Sequence, residues 1–179
     1  GREVILGIDR DITERKQAEV ALHQSEERFS NAFEYAPIGM AMVSPNGRWL
    51  RVNQAICELV GYSEEELLQK TFQDITHPDD LELDLHYVRQ VLAGEIQSYQ
   101  IEKRYLHKHG DAIWVLLSVS LVKEEDGTPL YFISQVQDIT ERKRADEQLK
   151  HSHSLLSATL ESTGDGILVV GPDRKISSF

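Results

Sequence analysis

Apolar residues recur along this chain in two different periods, and the switch between them marks out the elements. Over residues 14–33, Ala18, Leu22, Ser25, Phe29 and Ala32 follow at alternating spacings of four and three, the seam of an amphipathic helix. A short apolar run at 38–43, the turn residues Pro45, Asn46 and Gly47, and an alternating stretch at 48–52 predict a β-hairpin. Two short helices are expected at 53–60 and 63–69, split by Gly61, with Ser63 and Glu66 placed as a capping box for the second. His77-Pro78 breaks the chain, and Asp79 is the expected N-cap of a helix that carries Leu81, Leu85, Val88 and Leu92 on one face and stops at Gly94. Strands are expected at 97–106, 112–123 and 129–138. In the middle one, Ile113, Val115, Leu117, Val119 and Leu121 share a face, and Trp114, Leu116, Ser118 and Ser120 share the other. A sheet with one apolar and one partly apolar face covers a core on one side and receives a helix or partner on the other. Two strands, then short helices, then three strands predict an α+β fold, an antiparallel sheet with its helices on one face.

The hexapeptide DITERK at residues 11–16 returns at 138–143, an offset of 127 residues (138 less 11). The same offset carries Ala18 to Ala145, Leu22 to Leu149, Ser25 to Ser152, Glu34 to Glu161, Gly39 to Gly166 and Pro45 to Pro172 without a gap. The chain therefore reads as an excerpt of a tandem array. The expected partition is the end of a preceding copy at 1–12, a linker helix at 13–27, a complete domain at 28–140, a second linker helix at 141–160 and the start of a following copy at 161–179.

With 179 residues there is room for one complete domain and flanking pieces, and a net charge of −11 repels a phosphate backbone, so no nucleic-acid partner is expected. The lone Cys57 cannot form an internal disulfide, and the scattered histidines offer no zinc cluster, so no metal is expected and a reducing, cytoplasmic location is. No apolar run approaches 18 residues, so no membrane span is expected in this segment. Ser-His-Asp, Walker and glycine-rich phosphate motifs are not found. Asp79, Asp80, Glu82 and Asp84 lack a matched base and read as a solvated helix face. His151 and His153 lie in the linker and are assigned no phosphotransfer. No catalytic residue is expected, and the segment is not expected to be an enzyme.

Four stretches in order, NQAICELVGYSEEELL (53–68), HPDD (77–80), RYLHKHGDAIWV (104–115) and QDITERK (137–143), make residues 25–143 resemble a PAS domain of the sensory-box type with its carboxy-terminal motif. The resemblance implies a five-stranded antiparallel sheet with short helices on one face, flanked by linker helices and enclosing a small pocket. It also implies a sensor or dimerisation module of a bacterial signalling protein, commonly a histidine kinase or a cyclic-di-GMP enzyme. In the light-sensing branch of that family a reactive cysteine would stand at Phe72, and pocket amides at Tyr105, Val115 and Val136, so flavin is not expected. His86 lies about 120° around its helix from the Leu85/Val88/Leu92 stripe, so haem is not expected either. Candidate lining residues for an unidentified small ligand are Met40, Met42, Ile56, Phe72, Leu85, Val88, Tyr105, Val115, Leu117 and Val136; the same stripe also reads as plain core. Cys57 is expected to be a small buried hydrophobe, His77 a turn residue, and His107 and His109 exposed at a hairpin tip. The resemblance assigns signal relay to Asp138, Ile139 and Thr140. Phe29, Phe33, Trp114, Leu116, Leu149 and Leu156 are interface candidates, the expected partners being a second copy in a parallel homodimer and neighbouring domains. The alternative is an architectural spacer that binds no ligand.

Overall fold

The three long strands β3 (Ser98–Leu106), β4 (Ala112–Lys123) and β5 (Pro129–Asp138), where β-branched and aromatic residues are frequent, lie within a residue of the expected bounds. The computed structural model describes residues 3–162, 169–170 and 176–177, with side chains described over 15–158. The chain divides into two units, Gly1–Asp138 and Ile139–Phe179.

In the first unit, α1 (Glu3–Glu34) leads into the hairpin β1 (Gly39–Val43) and β2 (Trp49–Val52). Four helices follow, α2 (Gln54–Val60), α3 (Glu64–Leu68), α4 (Phe72–Ile75) and α5 (Pro78–Ala93), before β3. The sheet order is β2-β1-β5-β4-β3, with every neighbouring pair antiparallel. Ala41, Val43, Val52, Ile101, Tyr105, Val115, Leu117, Phe132 and Val136 point into one core, where α2 to α5 add Ile56, Val60, Leu67, Phe72, Ile75, Val88 and Val91. In the second unit, α6 (Thr140–Ser162) precedes the two-residue strands β6 (Val169–Val170) and β7 (Ile176–Ser177), which pair antiparallel. The expected linker helix 141–160 falls inside α6.

Local chemistry explains several element ends. Ser63 accepts from the Glu66 N–H and the Glu66 carboxylate accepts from the Ser63 N–H, the expected capping box at the start of α3. Gly61 ends α2 in the left-handed region (φ 75°), and a Cβ there would collide with the His107 ring, so glycine is required on both counts. Asn53, fully buried, caps α2: its Oδ1 accepts from Met40 N–H (2.8 Å) and Ile56 N–H (3.2 Å). Its Nδ2 donates to the carbonyls of Phe33 and Ile38, both at 3.0 Å, so one amide joins the end of α1, the lead into β1 and the start of α2.

Four expectations are revised. Residues 3–12, read as the end of a preceding copy, are helical and continuous with the linker segment 13–27 in α1, which runs on to Glu34. They pair in neither sheet among the described residues, and a helix satisfies its own backbone groups without a neighbour. Met40 and Met42 lie on the face of β1 opposite the core, because α2 comes close to the inward positions Gly39, Ala41 and Val43. A Cβ at Gly39 would stand 3.1 Å from the Ile56 Cβ, so the inner positions near α2 must be small. Phe33 is buried, 2% exposed, beneath the Arg51 guanidinium at 4.6 Å and beside Phe29, so it packs within the domain and is not a free interface residue. Finally α4 was not expected; four residues are too short for a periodic signal, and it is held by the Asp74 carboxylate accepting from the Thr71 N–H and hydroxyl.

Candidate functional site

Pro78 at the first position of α5 needs no N–H partner, and His77 caps the helix, its Nδ1 accepting from Asp79 N–H at 3.3 Å. His77 thus replaces Asp79 as the N-cap, which leaves both first-turn carboxylates for Arg104 on β3. Asp80 accepts from Arg104 Nε and Nη2 at 2.9 Å each and from its backbone N–H at 2.8 Å, while Asp79 accepts from Nη2 at 3.1 Å. The Arg104 hydrogen bonds hold the Asp80 carboxyl below the usual aspartate range, and Arg104 is raised in turn.

One turn further on, Asp84 reaches the interior and is fully buried. Its Oδ2 accepts from Lys103 Nζ at 2.5 Å and its Oδ1 from the Tyr99 hydroxyl at 2.7 Å. Lys103, 1% exposed, also donates to Thr76 Oγ1 at 3.0 Å, and Thr76 donates to the Phe72 carbonyl at 2.8 Å. The ammonium lies 4.3 Å from the ring centre of Tyr105 and 5.3 Å from that of Phe72. Tyr99 stacks on Tyr87, ring centres 5.2 Å apart. Burial pushes the Lys103 ammonium down and the Asp84 carboxylate pulls it back up. Burial and then Asp84 push both Tyr99 and Tyr105 up, so the two hydroxyls stay protonated.

A cavity beside this pair leaves about 20 Å³ for the centre of a water molecule, room for one. Phe72, Val88, Tyr105 and Leu117, four of the expected lining residues, are brought together there. Trp49, Asp84, Tyr99, Lys103, Phe132 and Ser134 join them, along with Val43 and Val119. The Trp49 indole N–H is buried without a hydrogen-bond partner. Ile56, Val115 and Val136 are core residues outside the lining, Leu85 is half-buried against the core, and Met40 and Met42 are on the other face of β1.

The expected solvated carboxylate run is corrected at Asp84. Four residues from both Asp80 and Val88, it shares the inward face of α5, and a buried cation on β3 draws it in. Sequence reasoning missed Lys103 as well, although a signal existed: it occupies the apolar phase of β3 between Ile101 and Tyr105.

Elsewhere, His86 is exposed on α5. His109 is exposed, but His107 is half-buried against Gly61 with its ring stacked on His109 at 5.0 Å, a revision of the expected free hairpin tip. Cys57 is half-buried; burial first, then Glu64, Glu34 and Glu58, push its thiol up, away from the reactive thiolate. Trp114 and Leu116 are half-buried on the outer sheet face, with the Arg104 guanidinium 5.3 Å from the Trp114 ring. Phe29, Leu149 and Leu156 are exposed. Asp138 ends β5, Ile139 is buried, and Thr140 opens α6. Among the described residues no three His, Cys, Asp or Glu side chains converge as a metal site. No helix among them is long and apolar enough to cross a membrane.

The small core site thus lies within an open five-stranded antiparallel sheet strapped by short helices. Residues 50–136 match the family described as PAS fold, and the chain carries a domain of the PAS family. Over 146 residues it is 47% identical to the probable diguanylate cyclase DgcE of Escherichia coli K12, covering 82% of this chain and 13% of that protein. Over 134 residues it is 31% identical to the sensor histidine kinase TmoS of Ectopseudomonas mendocina, covering 75% of this chain and 14% of that protein. The solved PAS domain of a Colwellia psychrerythraea protein shares the fold at a TM-score of 0.60 and 22% identity, covering 64% of this chain and 97% of that domain. The chain thus spans about one seventh of the length of these curated relatives. Its homologues belong to sensor kinases and a cyclase, and the domain is a sensory signalling module.

Proposed function

We propose that the domain relays the state of its core through Asp138, Ile139 and Thr140 into α6, and from there to an output domain outside this chain, a histidine kinase or a cyclic-di-GMP enzyme. One observation carries the reading: β5 pairs with β1 and β4, supplies Phe132 and Ser134 to the cavity wall, and reaches α6 through a single intervening residue. A change in the core therefore shifts the strand that leads into the output helix. On α6, Ala145, Leu149, Ser152 and Leu156 repeat the four-and-three seam, and Leu149 and Leu156 are 72% and 61% exposed. That open seam supports a parallel homodimer in which each helix covers the other, with serine keeping the pairing weak enough to switch. The repeat supports an array of such domains, partitioned at 28–140 for the complete copy, and the lone Cys57 fits a reducing, cytoplasmic setting.

The test is insertion after Arg144 in the full-length parent. Each added residue turns the chain beyond it by about 100° and advances it about 1.5 Å. One or two added residues scramble the output and seven preserve it; equal output at every length would refute relay through helix register. The second reading, an architectural spacer, draws support from the cavity, whose free room suits one water. Native mass spectrometry of the purified domain separates the two: a stoichiometric small molecule overturns the spacer.

A further inference from the structure

The Lys103 ammonium makes the contacts that a bound organic cation would make. Two ring faces, Tyr105 at 4.3 Å and Phe72 at 5.3 Å, a carboxylate at 2.5 Å and a hydroxyl at 3.0 Å surround Nζ. A quadrupole face attracts a cation most strongly where water is excluded, and here both the cation and its carboxylate partner are 1% exposed. Each wall is also held by a bond that does not involve the lysine. Tyr99 donates to the other oxygen of Asp84, Thr76 is anchored on the Phe72 carbonyl, and Thr76 pairs through its backbone with Tyr105. Taking the lysine side chain away would therefore leave a preassembled acceptor set. The water-sized cavity that Lys103 and Trp49 both line shows that the site is not packed solid around its cation.

We propose that this core site is an ammonium-binding cage whose resident ligand is the chain's own Lys103, and that it takes a primary alkylammonium ion from solution once that side chain is removed. This rests on the reading of the domain as a sensory module and deepens it: in the native chain the cage is already filled, so partners and linkers, not a diffusible cation, set its state. The lysine stem fixes the ligand size. Lys103→Ala removes three carbons and one nitrogen, which is n-propylammonium atom for atom.

The experiment is a urea or thermal titration of the full chain carrying Lys103→Ala against n-propylammonium chloride, with sodium chloride at matched ionic strength as the blank. The midpoint should rise saturably with n-propylammonium, as for any ligand that binds only the folded state. Apparent affinity should fall at least tenfold for 1-propanol, which has the shape without the charge. It should also fall at least tenfold for tetramethylammonium, which has the charge without the donors. The response should vanish in Lys103→Ala/Asp84→Asn and in Lys103→Met, whose side chain fills the volume. If Lys103→Ala is unfolded alone, recovery of its native circular dichroism on adding n-propylammonium is the same result, and no recovery at any concentration overturns the cage. An independent arm uses the unaltered chain labelled with 15N-lysine. One ammonium signal should be protected from solvent exchange and moved upfield by the two rings, and a neutral amine at that position overturns the proposal. Failure here leaves the helix-register relay standing, because the insertion series reads that separately.

Discussion

Replacing Asn53 tests how α1 is fastened to the sheet. The amide uses all four of its hydrogen-bonding positions inside the core, two accepting and two donating. Asn53→Ala removes the cap of α2, a loss of about 0.5–2 kcal/mol. It also strands the Phe33 and Ile38 carbonyls and the Met40 N–H, for which a further ~1–3 kcal/mol applies where water cannot reach. The expected total is about 1.5–5 kcal/mol, a large part of the roughly 5–15 kcal/mol that holds a domain. Asn53→Asp keeps the shape and the accepting oxygen but turns a second oxygen toward the two carbonyls at 3.0 Å. An introduced carboxyl in that place ionises only at a raised pKa. The acid donates at any pH below that raised value, so the deficit should be smallest below the ordinary aspartate value of about 4, grow as pH rises from there to the folded value, and level off above it. Urea unfolding at several pH values measures the totals, and amide exchange at Met40 and Ile56 localises them. Those two amides should exchange faster in Asn53→Ala and stay protected in Asn53→Asp. A loss below about 1 kcal/mol for Asn53→Ala would refute the clamp.

Breaking the buried pair with Lys103→Met should cost about 3–5 kcal/mol in urea unfolding, whereas Asp84→Leu/Lys103→Met should return to within about 1 kcal/mol of the native chain or exceed it. Additive losses in the double variant would mean that the pair is not coupled. Asp80 is ionised below the usual range by Arg104, so it contributes stability above the ordinary aspartate value that is lost as pH falls through its lowered one. Asp80→Asn should accordingly flatten the acid limb of a pH–stability curve, and an unchanged limb would assign acid unfolding to other carboxylates. Val115→Asp should unfold the domain by burying an unpaired charge, while Trp114→Asp should leave it folded and weaken self-association in sedimentation. If Trp114→Asp proves the more destructive within a monomer, the two sheet faces have been exchanged.

The long strands were readable because each runs nine or more residues between turn residues and β4 carries an apolar side chain at every second position from Ile113 to Leu121. The capping box at Ser63 and the stop at Gly94 were readable because each depends on a few adjacent residues. The phase of β1 was not. Hydrophobicity favours Met40 and Met42 for the core, whereas the approach of α2, set by residues 14 and more positions away, reserves the inside for Gly39 and Ala41. The caged pair was hidden for the same reason. Asp84 reads as one more carboxylate in an acidic helix until Lys103, 19 residues on, is known to face inward. Patterns confined to one element survive in the sequence, and choices made between two elements do not.

The strand order sets a timetable for making the domain. The hairpin of β1 and β2 and the hairpin of β3 and β4 share no strand pairing; β5 alone lies between them and bonds to both. A growing chain can form either hairpin early, yet the sheet stays in two separate halves until residues 129–138 have emerged, and loop closure over such distances is slow. Each half waits with an open edge that accepts a strand of suitable register. Were a second copy of the domain to stand beside this one, the fidelity of assembly would depend on each late strand reaching its own gap before the neighbour's does.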